Sequence, residues 1–130
     1  MELTKNFNTS EFVVSKDYPE IASEIVLSSL EALRLKLLCQ CILQPLRNAY
    51  GVIKIVSGKR NEELNRKVNG VATSGHLTAS ACDFTCGAYL PDVYESMKSS
   101  PYRQLILHED YIHVSINIPG KNYKHEAWIK

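Results

Sequence analysis

Four side chains able to hold a metal or move a proton sit in two short stretches. Ser74-Gly75-His76-Leu77-Thr78-Ala79-Ser80-Ala81-Cys82-Asp83 offers an imidazole and a carboxylate among small or neutral residues, and Asp110-Tyr111-Ile112-His113 offers a second such pair. Ile112, Val114 and Ile116 alternate with Tyr111, His113 and Ser115. The strand period of two puts His113 opposite the isoleucines. Cys82, Phe84 and Cys86 likewise share one face, and Asp83 points the other way with Ala81 and Thr85. Two strands thus each present one ligand-type residue away from the apolar face. His76 precedes Asp83 by seven positions, about 23 Å of extended chain, whereas zinc–ligand bonds are about 2 Å long. A shared ion requires the chain to fold back, which the small residues Thr78 to Ala81 permit. His76, Asp83 and His113 are therefore expected to hold one Zn2+ ion. Three protein ligands leave a fourth position for water, the pattern of a catalytic site. Spacing alone leaves other divalent ions open.

Asp110 stands three residues before His113. In a continuous strand it would face the other way, but in a preceding turn it can reach that water and act as general base and acid. Glu109 competes for the role, because a one-residue shift of the turn exchanges the two. Arg60, in Ser57-Gly58-Lys59-Arg60, can clamp a substrate carboxylate or steady an oxyanion. Tyr111 shares a face with His113 and is expected to line the cleft. His108 flanks the site, His125 is expected in solvent, and Trp128 with Tyr123 is expected to cover the sheet.

The elements that must position these groups read as follows. Pro19 and Glu20 start a helix expected to run to about Leu43, with Val26, Leu30, Leu33, Leu37 and Cys41 as its apolar stripe. Pro45 must end or kink it. Val52 to Ser57 reads as a strand, Asn61 to Val68 as one or two helical turns, and Asn69-Gly70 as a turn. Thr73 to Thr78 is a loop, Ala79 to Cys86 extended, and Pro91 to Ser99 a short helix. Gln104 to Leu107 and Tyr111 to Ile118 are strands joined by a turn at His108-Glu109-Asp110. For Ser10 to Ser15, a helical turn and an extended arm remain open. Helices first and hairpin-joined strands after predict an α+β fold with a small, mainly antiparallel central sheet.

Composition narrows the class. The 130 residues suit one domain, 1–130, and at 45% hydrophobic can build a core without staples. A net charge of +1 gives no basic excess, so nucleic acid is not an expected partner. No apolar run approaches the ~18 residues of a membrane span, so no membrane insertion is expected. Met1 to Asn8 lacks the apolar core of a signal peptide. Cys39, Cys41, Cys82 and Cys86 form no C-x-x-C and are expected to be buried reduced thiols.

In order, Ser57-Gly-Lys-Arg60, Leu64-Asn65, Ser74-Gly-His76 with Asp83, and Asp110-x-x-His113-Val-Ser resemble the zinc D-Ala-D-Ala carboxypeptidase family. That family includes phage cell-wall lysins and the vancomycin-resistance dipeptidases, and shares its fold with the hedgehog signalling domain. The likeness is greatest to short phage-type members, whose pattern is S-G-[YF]-R, L-N, S-x-H-x-x-G-x-A-x-D and D-x-x-H or E-x-x-H. Phe7 to Phe12 resembles their N-terminal arm and Leu43 to Arg47 the end of their long helix, so the resemblance covers most of the chain. It implies His76, Asp83 and His113 as zinc ligands, Asp110 as base and acid, Arg60 as the clamp, and Ser74 as a substrate contact or a support for the ligands. Lys59 stands where an aromatic is usual, which would alter substrate choice or leave Lys59 in solvent. Ala79 stands where Gly is usual, and an ordinary backbone conformation is expected there. Cys82 replaces the usual Ala and is expected in the core.

The implied activity is hydrolysis of an amide bond beside a D-residue in peptidoglycan stem peptides, by a carboxypeptidase or an endopeptidase. The resemblance implies a monomeric, phage-type endolysin, made in the cytoplasm without a signal peptide and acting on the wall after release. The alternative is a non-catalytic module that keeps the fold and metal but binds a wall fragment or a protein. Asp110 argues for the enzyme, since a binding module has no need of a base.

Overall fold

The computed structural model describes every residue from Met1 to Lys130. The chain opens with a small hairpin, β1 (Glu2–Thr4) and β2 (Phe7–Asn8), followed by a 3-10 turn over Thr9–Phe12. Helices α1 (Pro19–Ser23), α2 (Ser29–Leu38) and α3 (Gln44–Tyr50) come next. Then follow β3 (Ile53–Ser57), α4 (Glu62–Lys67), β4 (Ala81–Cys86), α5 (Leu90–Met97), β5 (Tyr102–Leu107), β6 (Ile112–Ile116) and β7 (Glu126–Ile129).

Five strands form the main sheet in the order β3-β4-β6-β5-β7. All pairs are antiparallel except β5 with the edge strand β7. The fold is α+β, as the element order predicts. Period-two alternation sends Ile53, Ile55, Cys82, Phe84, Leu105, Leu107, Ile112, Val114 and Ile116 to one buried face. Leu35, Leu38, Ile42, Leu43 and Leu46 from the α2–α3 segment join them, as do Val93, Tyr94 and Met97 of α5, in one hydrophobic cluster. Fully burying a side chain of this kind stabilises by about 1.5–3 kcal/mol. The helices therefore fix one face of the sheet and leave the other for polar groups.

The helical region departs from the single long helix expected. It breaks between Ser23 and Ser29, and α2 starts afresh at Ser28. The Ser28 hydroxyl accepts from the Glu31 N–H at 3.1 Å, and the Glu31 carboxylate accepts from the Ser28 N–H at 3.0 Å. This capping box satisfies two otherwise orphaned donors, and its S-x-x-E signature is present in the sequence. Pro45 does not end the segment. The chain widens into a π turn over Cys39–Leu43, where the Gln44 N–H reaches back to the Cys39 carbonyl. The missing Pro45 N–H then falls in the first turn of α3, where it is tolerated.

The expected stripe is also on the wrong side. Val26, Leu30, Leu33, Leu37 and Cys41 are exposed, while Leu35, Leu38 and Cys39 are buried. Apolar residues ring α2 almost completely, so a helical period can be drawn along more than one face. Of the four thiols, Cys39 and Cys82 are buried, Cys86 is half-buried and Cys41 is exposed. Burial, with a smaller push from Glu11, raises the Cys39 thiol to about 12, so it stays protonated. No helix is long and apolar enough to cross a membrane.

Candidate metal centre

On the polar side of the sheet, Asp83 of β4 and His113 of β6 are direct cross-strand partners. Such partners hold their Cβ atoms about 4.5–5.5 Å apart. The His113 Nδ1 lies 2.8 Å from Asp83 Oδ1. The third group arrives from the loop between α4 and β4. His76 is 2% exposed, and its Nε2 lies 3.2 Å from the same Asp83 oxygen. The Nδ1 of His76 donates to the Gly58 carbonyl at 2.6 Å. That bond fixes the tautomer and leaves the Nε2 lone pair facing a carboxylate oxygen. A proton or a metal ion between the two satisfies both.

One ligand atom from each of His76, Asp83 and His113 lies within 4.8 Å of the others. Tetrahedral ligands on bonds of about 2 Å sit about 3.3 Å apart, close to the 2.8 and 3.2 Å separations found. Two imidazoles and a carboxylate are a donor set suited to zinc. The residues present therefore fit the ion. Burial alone would raise the Asp83 carboxyl. Hydrogen bonds from His113 and His76, with their charges, outweigh it and hold Asp83 well below the usual carboxylate range. Asp83 is thus ionised and ready to bind a cation.

Arg60 completes the cluster. Its Nη2 lies 3.8 Å from Asp83 Oδ2 and 3.4 Å from the Ser57 hydroxyl, and its Nη1 donates to Asn65 Oδ1 at 3.2 Å. The Asn65 amide in turn donates to the Val71 carbonyl at 3.0 Å. A Cβ at Gly70 would lie 2.0 Å from Asn65 Oδ1 and 2.8 Å from Arg60 Nη1, so only glycine lets this pair sit where it does. Asn65 was part of the Leu64-Asn65 motif, yet its bond to Arg60 has no signal in local spacing.

The loop that carries His76 is held by bonds to its own carbonyls. The Arg60 N–H donates to the His76 carbonyl at 2.9 Å. Arg34 of α2 donates to the Thr78 carbonyl at 3.0 Å. The Lys59 ammonium donates to the Leu77 carbonyl and pairs with Glu31. Lys59 is therefore turned inward onto the loop rather than left in solvent. Ser74 accepts from the His76 N–H at 3.2 Å, which shapes the turn. Ala79 departs from expectation: it is fully buried with φ 58°, in the left-handed region. That conformation costs a non-glycine residue about 1–2 kcal/mol, and the bonds to Leu77 and Thr78 offset it.

Tyr111 is half-buried and stacks on His108, with ring centroids 4.1 Å apart. Burial raises the Tyr111 hydroxyl, and Asp83 and then Asp110 raise it further, while Arg60 opposes them. Asp110 and Glu109 both lie exposed in the turn between β5 and β6. Asp110 acts electrostatically on both Tyr111 and His108. His125 is exposed but stacks on Tyr102 at 3.9 Å. Trp128 of β7 pairs across with Ile106 of β5 and is 38% exposed.

A search of curated proteins finds no match to the chain. Residues 5–115 match the family model described as Peptidase M15. That span contains every group of the cluster, and the chain belongs to the M15 peptidases, the zinc D-Ala-D-Ala carboxypeptidase family.

Proposed function

We propose that residues 1–130 form a single zinc-dependent peptidase unit that hydrolyses an amide bond in peptidoglycan stem peptides, as a D-Ala-D-Ala carboxypeptidase or an endopeptidase. The observation that carries this reading is the convergence of His76 and His113 on one oxygen of Asp83 in a chain of the M15 family. A zinc ion held by these three residues supplies Lewis acidity and makes water a usable nucleophile near neutral pH.

The chain's own residues supply the rest. Asp110 takes a proton from the attacking water and returns it to the leaving amine. Its place three residues before His113, the D-x-x-H spacing of the family pattern, supports Asp110 over Glu109. Arg60 is buried enough to act in a low dielectric, and its guanidinium steadies the carbonyl oxygen as it gains charge or clamps a substrate carboxylate. Tyr111 lines the cleft beside His113. Ser74 holds the His76 backbone and contacts the substrate. The protein acts as a monomer on the wall, as a phage-type endolysin does, without nucleic acid or membrane insertion.

Mass spectrometry of products from digested sacculi and from synthetic stem peptides ending in D-Ala tests this. Zinc-loaded protein should cut beside a D-residue, and Asp110→Ala should keep zinc but lose at least about 100-fold in turnover. Intact substrates with the parent protein, bound equally well by Asp110→Ala, would instead fit a binding module. Full activity in Asp110→Ala but not in Glu109→Ala would reassign the base.

A further inference from the structure

The polar face of the sheet carries a second feature beside the metal cluster. A cavity of about 370 Å³ opens between the Thr73–Ser80 loop and the chain after β6. Arg103, Lys121 and Lys124 line it with the hydroxyls of Thr78, Ser80 and Ser115, and no acidic side chain does. A chain of net charge +1 has thus gathered three cations around one hollow.

Their donors are available. Both contacts of Arg103, to Asn117 Oδ1 at 3.1 Å and to the Asn122 carbonyl, use Nη1. They hold the guanidinium in place and leave Nη2 and Nε free to donate. Lys121 has no ion-pair partner, and Lys124 has only a half-exposed contact with Glu126 at 3.7 Å. Ser115 is 3% exposed, and its oxygen accepts from the Gln104 N–H at 3.1 Å. No protein acceptor takes the Ser115 hydroxyl proton. Ser115 lines the cavity, so this hydroxyl can donate to an occupant.

The cavity and the metal cluster share the loop that carries His76 as a common wall. Ser115 also follows His113 by two residues on β6, on the same face, with Ala81 and Asp83 as their respective partners. Two residues of strand span about 6.6 Å. A peptide lying extended with its scissile bond at the cluster would advance by about two residues before reaching the cavity. The volume accommodates a whole side chain with its acid group, well beyond a bare ion.

We propose that this cavity is a subsite for an acidic residue of the peptide substrate, its free carboxylate held by Arg103, Lys121, Lys124 and the Ser115 hydroxyl about two residues from the bond that is cut. The subsite rests on the peptidase reading for the identity of its ligand. It makes the enzyme selective for stem peptides whose carboxylate near the scissile bond is free over those in which it is amidated. Like-charged lysines would be unpaired beside a neutral amide, while a carboxylate gains charge-assisted hydrogen bonds.

Binding and cleavage test it separately. Two stem peptides, identical except for a free or amidated carboxylate two residues from the scissile bond, are titrated by calorimetry into zinc-loaded Asp110→Ala protein and followed by amide NMR. The acid form should bind about tenfold tighter at low salt, lose that margin as salt rises, and shift the Gln104 and Ser115 resonances. In the exposed double variant Lys121→Gln/Lys124→Gln the margin should vanish, and in Lys121→Glu/Lys124→Glu it should reverse. The same ranking should appear in kcat/KM of the parent protein. Preferential acid binding without turnover would sustain the subsite and sink the peptidase reading. Equal binding and equal cleavage of both peptides would leave the peptidase standing and overturn the subsite. Inorganic phosphate binding at the same resonances, with no preference between the peptides, would also overturn it.

Discussion

The three candidate ligands reach one point by two different means. Asp83 and His113 are placed by the β4–β6 ladder, whose register makes them cross-strand partners. His76 is placed by a loop that has no ladder. Its position depends on Gly58 accepting from its ring, on Arg34 and Lys59 binding the next two carbonyls, and on a left-handed Ala79. The strand pair is as rigid as the core beneath it, because Cys82, Phe84, Ile112 and Val114 are each fully buried on the reverse face. The loop is only as rigid as a handful of side-chain bonds. Loss of a strand ligand should therefore cost both metal and fold, while loosening the loop should cost metal alone.

The largest effect is expected at Asp83, whose carboxylate meets His76, His113 and Arg60 together. Asp83→Ala should abolish zinc binding and lower stability by about 3 kcal/mol, since breaking a buried ionic cluster strands the remaining charge. Zinc titration and urea unfolding would measure the two. A variant holding zinc within tenfold of the parent would break the comparison at its rigid end.

A smaller effect is expected at Arg34, which touches the loop and is not one of the three candidate ligands. Arg34→Met keeps the apolar stem of the side chain and removes the bond to the Thr78 carbonyl. Zinc affinity, measured by competition with a chelator, should fall about tenfold, the usual scale for a group that supports a ligand. Unfolding should move by no more than about 1 kcal/mol, the value of one such bond. Unchanged affinity with reduced stability would mean that the loop is held from elsewhere.

The smallest effect concerns Glu31. Burial pushes its carboxyl up, but its bonds and charge contact with Lys59, and the cap on Ser28, leave it below its ordinary 4.5. A depressed carboxyl contributes stability above its unfolded value and loses it as pH falls through the folded one. Glu31→Gln should therefore flatten the stability curve below about pH 4.5 and change little of its shape above. Urea midpoints from pH 3 to 7 would show this, and parallel curves for parent and variant would remove Glu31 from the clamp.

The same contrast governs how much was legible in the sequence. Asp83 and His113 could be read because a strand has a short, strict period, and their neighbours Phe84, Ile112 and Val114 mark the opposite face. The helical region misled because α2 is apolar nearly all round, so Leu30, Leu33 and Leu37 matched a helical stripe as well as the buried residues do. Ser28 and Glu31 carry a cap signature that marks the start of a separate helix. Strand β7 is short and pairs in parallel at the edge, with no alternation to announce it. The loop clamp joins residues 34 and 78, and the cationic cavity joins 103 with 121 and 124. Contacts between residues so far apart in sequence are made by the fold, and no local pattern encodes them. Ala79 was expected in an ordinary conformation because alanine rarely turns left-handed, and the clamp around it is what permits the exception.

X-ray absorption at the zinc edge, on the 130-residue protein loaded with one equivalent of zinc, distinguishes this ligand set from any other. The zinc should be bound by two imidazole nitrogens plus oxygen, with one imidazole missing in His76→Ala and in His113→Ala. A shell containing sulfur from any of the four cysteines, or a spectrum unchanged in both histidine variants, would contradict it.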